Sequence, residues 1–96
     1  MSIEETIKAK RDDIRRIAAQ HGASNVRLFG SVARGEARPE SDVDLLVDVT
    51  AQTSSWFPAG LIIDLERLLG RRVEVVTEKA LNKHLREKVL REAIPL

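Results

Sequence analysis

Two carboxylates stand on alternate residues at the start of an apolar run. Asp42 and Asp44 flank one valine and lead into the leucine and valine residues 45–47. Because side chains alternate across a strand, both carboxylates lie on one face, roughly 6.5 Å apart along the backbone. An unpaired charge in a buried strand is costly, so a partner must compensate these two. We take that partner to be a divalent cation that carries a nucleotide.

A third carboxylate occurs in the later apolar run RRVEVV (71–76), where Glu74 lies between two valines. If this run is a strand beside that of Asp42 and Asp44, the three carboxylates converge. Two such groups about 5 Å apart repel by roughly 3 kcal/mol at an effective dielectric of about 20. Three oxygen ligands suit magnesium or manganese. The alternatives are that Asp42 caps a turn and that Glu74 is exposed on an edge strand.

A glycine and a serine, Gly30 and Ser31, lie where a short strand turns into a short helix. Free N–H groups at such a turn bind phosphate, and a glycine lets the phosphate come close to the backbone. The Ser31 hydroxyl donates one more hydrogen bond. Arg34 returns to the same end after one helical turn, where it pairs either with a phosphate or with Glu36 or Glu40.

The elements that must position these residues follow from the apolar periodicity and from Gly and Pro. The pattern predicts helices over 3–20, 31–35, 58–69 and 78–92, and strands over 25–29, 42–49 and 71–76. The order α-β-α-β-α-β-α predicts an α/β fold, a small mixed β-sheet with flanking helices. Trp56 and Phe57, in the loop before the third of these helices, are predicted to cap the core, with an anchor for a partner as the alternative.

Composition bounds the class of protein. The chain has 96 residues, of which 43% are hydrophobic, which fits a single domain over 1–96. It has no cysteine and two histidines, which excludes a thiolate zinc site and suits a reducing cytoplasm. The net charge of +1 does not indicate direct binding of nucleic acid through overall positive charge. No apolar run reaches membrane-spanning length, so we expect a cytoplasmic protein without a membrane partner.

The spacing of these residues carries a family likeness. Gly30-Ser31, ten intervening residues and then Asp42-x-Asp44 opening an apolar strand resemble the signature of the polymerase-beta-like nucleotidyltransferase superfamily. The segments LFGSVARGEARPESDVDLLVDV and RRVEVVTEKALNKHLREKVLREAIPL, in so short a chain, are similar to the minimal nucleotidyltransferase (MNT) proteins of bacteria and archaea.

That resemblance implies a nucleotidyltransferase fold and an antitoxin encoded beside a HEPN-domain RNase toxin. The implied activity is transfer of AMP from ATP to a tyrosine of the toxin, which forms a complex with the antitoxin. The implied triphosphate-binding residues are Gly30 and Ser31, and Arg34 is a further candidate from its position alone. The implied ligands of Mg2+ or Mn2+ and catalytic residues are Asp42, Asp44 and Glu74, of which Glu74 takes the proton of the incoming hydroxyl.

Two other functions stay open. Glu74 stands where the family usually has aspartate, and its side chain is one methylene longer. This difference favours an antitoxin that neutralises its toxin by binding alone. The remaining alternative is a nucleotidyltransferase acting on a small molecule. We rank it last because the chain lacks a second domain to hold such an acceptor.

Overall fold

A computed structural model of the chain describes residues 2–50, 53 and 56–96. Five helices and four strands make up this part of the protein, and the predicted α/β class is confirmed. The elements are α1 (Ile3–Ala9), α2 (Arg11–Gln20), β1 (Ala23–Phe29), α3 (Gly30–Ala33), β2 (Val43–Val49), α4 (Ala59–Leu69), β3 (Val73–Val76), α5 (Lys83–Glu92) and β4 (Ile94–Pro95), with a 3-10 turn at Glu78–Ala80.

The four strands form one mixed sheet in the order β3-β2-β1-β4. Strand β1 is antiparallel to both β2 and β4, whereas β2 and β3 are parallel. Parallel neighbours require a crossover connection, and α4 supplies it between β2 and β3. The two strands that carry the candidate carboxylates are therefore neighbours, as the site prediction required.

The two faces of the sheet are covered to different extents. On one face, the odd-numbered residues of β2 pack in the main core with α2 and α4; its members include Ile14, Ala18, Val43, Leu45, Val47, Leu61, Leu65, Val73 and Val75. On the other face a smaller cluster of Leu46, Leu81 and Val89 is joined by Phe29 and Val76. Because both faces are covered at its middle, β2 has a continuous apolar run there. The candidate carboxylates lie at one end of the less covered face.

The predicted helix over 3–20 is in fact two helices. They meet at Lys10, whose φ of −103° and ψ of 15° leave the helical region. Ile7 and Ile14 on either side of the break are both buried. The apolar spacing therefore continues across Lys10, so the break left no trace in the sequence pattern.

The C-terminal part of the chain also departs from the prediction. Helix α5 begins at Lys83 rather than at Glu78, because Asn82 caps it by accepting the Leu85 N–H at 2.9 Å. Leu81 is buried from the preceding segment, whereas Leu85 is exposed. Strand β4 was not predicted, since two residues are too few to show a pattern of alternation.

The segment before α4 divides the two aromatic residues. Phe57 packs against the main core, as predicted, but the Trp56 side chain is 79% exposed, so the prediction that it caps the core is wrong. Helix α4 begins at Ala59, one residue after Pro58. Within residues 2–50, 53 and 56–96, no helix is long and apolar enough to cross a membrane.

Candidate active site

Two of the three candidate carboxylates face each other across neighbouring strands. Asp44 of β2 is the register partner of Glu74 of β3 in the parallel pair. Register partners in adjacent strands lie about 5 Å apart and on the same face. The structure therefore brings Asp44 and Glu74 together, whereas the adjacent Val43 and Val73 turn into the core on the other face.

The electrostatics of Asp44 show that its charge is poorly compensated. The pKa of Asp44 is raised to about 6, chiefly by burial and further by the negative charges of Glu74 and Asp42 and a hydrogen bond with Glu74. The positive charge of Arg34 lowers the pKa, but less strongly than these effects raise it. A bound dication would reverse this balance, because it favours the ionised carboxylates. The local charge thus fits a cation site.

Asp42 lies one residue before β2 and is hydrogen-bonded to an arginine rather than to the Asp44–Glu74 pair. Its Oδ1 accepts a hydrogen bond from Arg72 Nε at 3.2 Å, and the Arg72 side chain is 82% exposed. In the part of the chain that the structure describes, no three Asp, Glu, His or Cys side chains stand in an arrangement ready to hold a metal ion. A pair with so exposed an arginine contributes at most about 1 kcal/mol, so a cation can compete with it for Asp42.

The glycine of the β1–α3 turn lies directly against the Asp44 carboxylate. Gly30 has a φ of +79°, which favours glycine over any other residue. A Cβ built on it would collide with Asp44 Oδ2 and lie 3.0 Å from Cγ. The pairing of Phe29 with Asp44 brings the turn to this place. Gly30 thus allows the turn and the carboxylate to come together.

Ser31 and Arg34 lie next in this turn. The Ser31 hydroxyl makes no hydrogen bond within residues 2–50, 53 and 56–96, so it can donate to a ligand. Arg34 Nε donates to Glu36 Oε1 at 2.7 Å, and its Nη1 donates to the two carboxylate oxygens of Glu92 at 3.1 and 3.3 Å. Of the two glutamates that the sequence offered as partners of Arg34, Glu36 is observed. The contact of Arg34 with Glu92 was not predicted.

Glu92, the last residue of α5, is the site residue that sequence reasoning missed. Its Oε1 accepts the Gly30 N–H at 2.9 Å, although 62 positions separate the two residues. Burial raises the pKa of the Glu92 carboxyl, but the Gly30 N–H and Arg34 lower it further, so the pKa is below its ordinary value. No sequence signal distinguishes Glu92 from other glutamates on this helix, because the contact depends on how α5 packs.

Comparisons with known proteins find related sequences and a closely similar fold. The nucleotidyltransferase domain family matches residues 8–96 of the chain. A solved structure of a minimal nucleotidyltransferase superimposes with a TM-score of 0.88 at 52% identity, covering 100% of this chain and 97% of that one. The protein adenylyltransferase MntA of Thermococcus cleftensis is 37% identical over 92 residues, which are 96% of this chain and 90% of the relative.

A more distant solved structure shares the fold alone. It is a toxin–antitoxin in complex with AMP-PNP, at 22% identity and a TM-score of 0.67. The alignment covers 99% of this chain and 72% of that one. At this identity the likeness supports the arrangement of strands and helices described above, without assigning a ligand.

Proposed function

This chain belongs to the nucleotidyltransferase domain family, and on that premise we propose that it transfers AMP from ATP to a tyrosine of a HEPN-domain toxin. The family and the nucleotidyltransferase activity predicted from the sequence are confirmed by relatives that are protein adenylyltransferases. The observation that carries the proposal is the Asp44–Glu74 pair, which lies beside the Gly30 turn and whose negative charge Arg34 compensates only in part.

In this proposal the nucleotide and its cation bind to adjacent groups. The Gly30 N–H, Ser31 and Arg34 donate hydrogen bonds to the triphosphate, and the missing side chain of Gly30 leaves room for it at the backbone. Asp42, Asp44 and Glu74 hold Mg2+ or Mn2+, for which a set of carboxylate oxygens is suited. When bound, such a cation neutralises the phosphates and polarises the reacting phosphoryl group.

The residues of the chain then position the reaction. The tyrosine hydroxyl oxygen forms a bond to the α-phosphorus of ATP, and the bond from that phosphorus to pyrophosphate breaks. Glu74 accepts the hydroxyl proton, since a carboxylate at this position can act as a general base. Arg34 and Ser31 retain the pyrophosphate as its negative charge grows. Holding the groups in line supplies most of the catalysis, because phosphoryl transfer depends mainly on positioning and charge.

The choice of acceptor rests on the relatives. The Thermococcus cleftensis relative is a protein adenylyltransferase, which favours a protein as the acceptor. The fold is shared with a toxin–antitoxin structure that contains AMP-PNP, an analogue of ATP. Both findings favour an antitoxin that binds its toxin as a hetero-oligomer and modifies it.

The test is a transfer reaction with the candidate partner. The chain is incubated with ATP, Mg2+ and the HEPN protein encoded by the adjacent gene, and the partner is analysed by peptide mass spectrometry. We expect AMP on a tyrosine and recovery of the antitoxin without modification. The Asp44→Asn variant serves as the inactive control. An unmodified partner with either Mg2+ or Mn2+ would contradict the proposal.

One observation favours an antitoxin that acts by binding alone. Asp42 is already paired with Arg72, and the residues described here hold no preformed three-ligand arrangement. If this alternative holds, Asp44→Asn still neutralises the RNase activity of the toxin. If transfer is required, the same variant forms the complex but leaves the toxin active. An RNase assay on the purified complex separates the two functions.

A further inference from the structure

The carboxylate of Glu92 lies on donors that the proposed function assigns to the triphosphate. It accepts the Gly30 N–H at 2.9 Å and two hydrogen bonds from Arg34 Nη1 at 3.1 and 3.3 Å. We propose that Glu92 is an internal competitor of the triphosphate, which fills its anion position in the nucleotide-free chain and thereby sets the nucleotide affinity. This inference rests on the proposed function, because it concerns the same site.

The two anions cannot share these groups. The Gly30 N–H has one hydrogen, which donates well to one acceptor at a time. A carboxylate left beside a bound triphosphate would also repel it, and the partly buried setting weakens solvent screening. Binding of the triphosphate to Gly30 and Arg34 therefore requires Glu92 to move away.

The release of Glu92 needs little rearrangement. The residue ends α5, and its side chain leaves the turn by rotation about its own bonds. Lys88, one helical turn earlier, is a second cation whose charge acts on Glu92 and offers the released carboxylate a new neighbour. Beyond Glu92 the chain is joined to the sheet by the two-residue strand β4 and by the Leu96 N–H, which donates to Val26 O at 2.9 Å.

A positioning role for Glu92 is less well supported by the contacts. Arg34 is already oriented by Glu36, which accepts its Nε at the shorter distance of 2.7 Å. Loss of Glu92 would therefore leave Arg34 Nε bonded to Glu36 and free Arg34 Nη1 to donate to a ligand. The two roles predict opposite changes in nucleotide affinity when Glu92 is replaced. Removing a competitor raises the affinity, whereas removing a positioning residue lowers it.

The experiment measures the binding of MgATP and of inorganic tripolyphosphate by isothermal titration calorimetry. Glu92→Gln removes the charge, and Glu92→Asp keeps the charge but shortens the reach by one methylene. Glu87→Gln is the matched control, because Glu87 lies exposed on the same helix and its side chain makes no hydrogen bond or ion pair to any residue that the structure describes.

We expect Glu92→Gln to bind both probes about tenfold more tightly than wild type. The reason is that the competing side chain loses its charge-assisted hydrogen bonds, and a change of this size corresponds to about one such bond. Glu92→Asp should also bind more tightly although its net charge is unchanged, and Glu87→Gln should stay within about twofold of wild type. Thermal melts followed by circular dichroism verify that each variant is folded, and Glu92→Asp carries the test if Glu92→Gln is not.

The outcomes separate this inference from the proposed function. If wild type binds MgATP and the two Glu92 variants bind it equally or more weakly, the competitor is ruled out and the nucleotide site stands. If neither wild type nor any variant binds MgATP, both the nucleotide site and the competitor are overturned. Binding by the Glu92 variants alone would support the competitor in its strongest form.

Discussion

Acidic residues lie at both ends of the less covered sheet face, but their charges are compensated to different extents. At the far end Arg27, 12% exposed, donates to Asp48 at 2.8 Å and lies 4.0 Å from Glu78. At the site end the positive charge of Arg34 only partly offsets the burial of Asp44 and the negative charges of its neighbours, so the pKa of Asp44 is raised.

This contrast separates a structural ion pair from a candidate binding site. Asp44 and Asp48 are both even-numbered residues of β2, so the alternation of side chains predicts the same sheet face for both and does not distinguish them. A carboxylate satisfied within the chain has little need of a ligand, whereas one made unfavourable by burial and like charges gains from a cation. Under the proposed function, the difference in compensation predicts that a cation binds at the site end.

The largest expected effect comes from neutralising the site end. Asp44→Asn removes a proposed cation ligand and should lower the rate of AMP transfer at least about 1,000-fold, a loss typical of removing electrostatic stabilisation of a transition state. The rate is measured by mass spectrometry of the acceptor. Asp48→Asn, the same change at the compensated end, should leave the rate unaltered. A comparable loss in both variants would remove the distinction between the ends.

The pH dependence of stability should differ between wild type and Asp44→Asn. The pKa of Asp44 is about 6 in the folded chain against 3.8 ordinarily, so the folded state binds the proton more tightly. The free energy of unfolding therefore falls as pH rises from about 4 to about 6, by less than about 3 kcal/mol because Asp44 is partly exposed and solvent screens its charge. Urea titrations across this range without divalent cations measure the slope, which Asp44→Asn should lack. Equal slopes would contradict the raised pKa.

Divalent cations should stabilise the wild-type chain through the site end. At a free Mg2+ or Mn2+ concentration ten times the dissociation constant, linkage gives about 1.4 kcal/mol. For a chain of this size the melting temperature should rise by roughly 5–10 °C. Thermal denaturation with and without the cation measures the shift, and Asp44→Asn should show none. A shift that persists in Asp44→Asn would place the cation elsewhere.

The smallest effect is expected at the compensated end. Asp48→Asn weakens the ion pair with Arg27, and because the Asp48 side chain is 50% exposed the unfolding free energy should fall by less than about 1 kcal/mol. Urea denaturation at neutral pH measures this decrease. Asp44→Asn should increase the unfolding free energy under the same conditions, since it removes an unfavourable charge. Changes of the same sign would contradict the contrast between the two ends.

Long apolar patterns predicted the main elements, and short or interrupted ones did not. Strand β2 and helix α4 were recognised because their apolar residues repeat over several turns or pleats. The break at Lys10 and the two-residue strand β4 were missed, since neither alters the periodicity. The start of α5 was placed too early because Leu81 matches the helical spacing but packs from outside the helix.

Sequence alone determined the local part of the site. Strand alternation predicted that Asp44 faces away from Val43, and the flanking valines predicted the face of Glu74, as observed. The shared face of Asp42 and Asp44 stays a prediction, because Asp42 lies outside β2. The spacing from Gly30-Ser31 to the two aspartates carried the family resemblance that was later confirmed. These features depend on residues close together in the sequence, so they can be predicted from the sequence pattern.

Only the tertiary structure decided which charges are compensated. Arg72 holds Asp42, Arg27 holds Asp48, and Glu92 occupies the Gly30 N–H from the other end of the chain. Each contact joins residues at least 21 positions apart. Periodicity states which face a side chain takes, but the partner it meets there depends on how the elements pack.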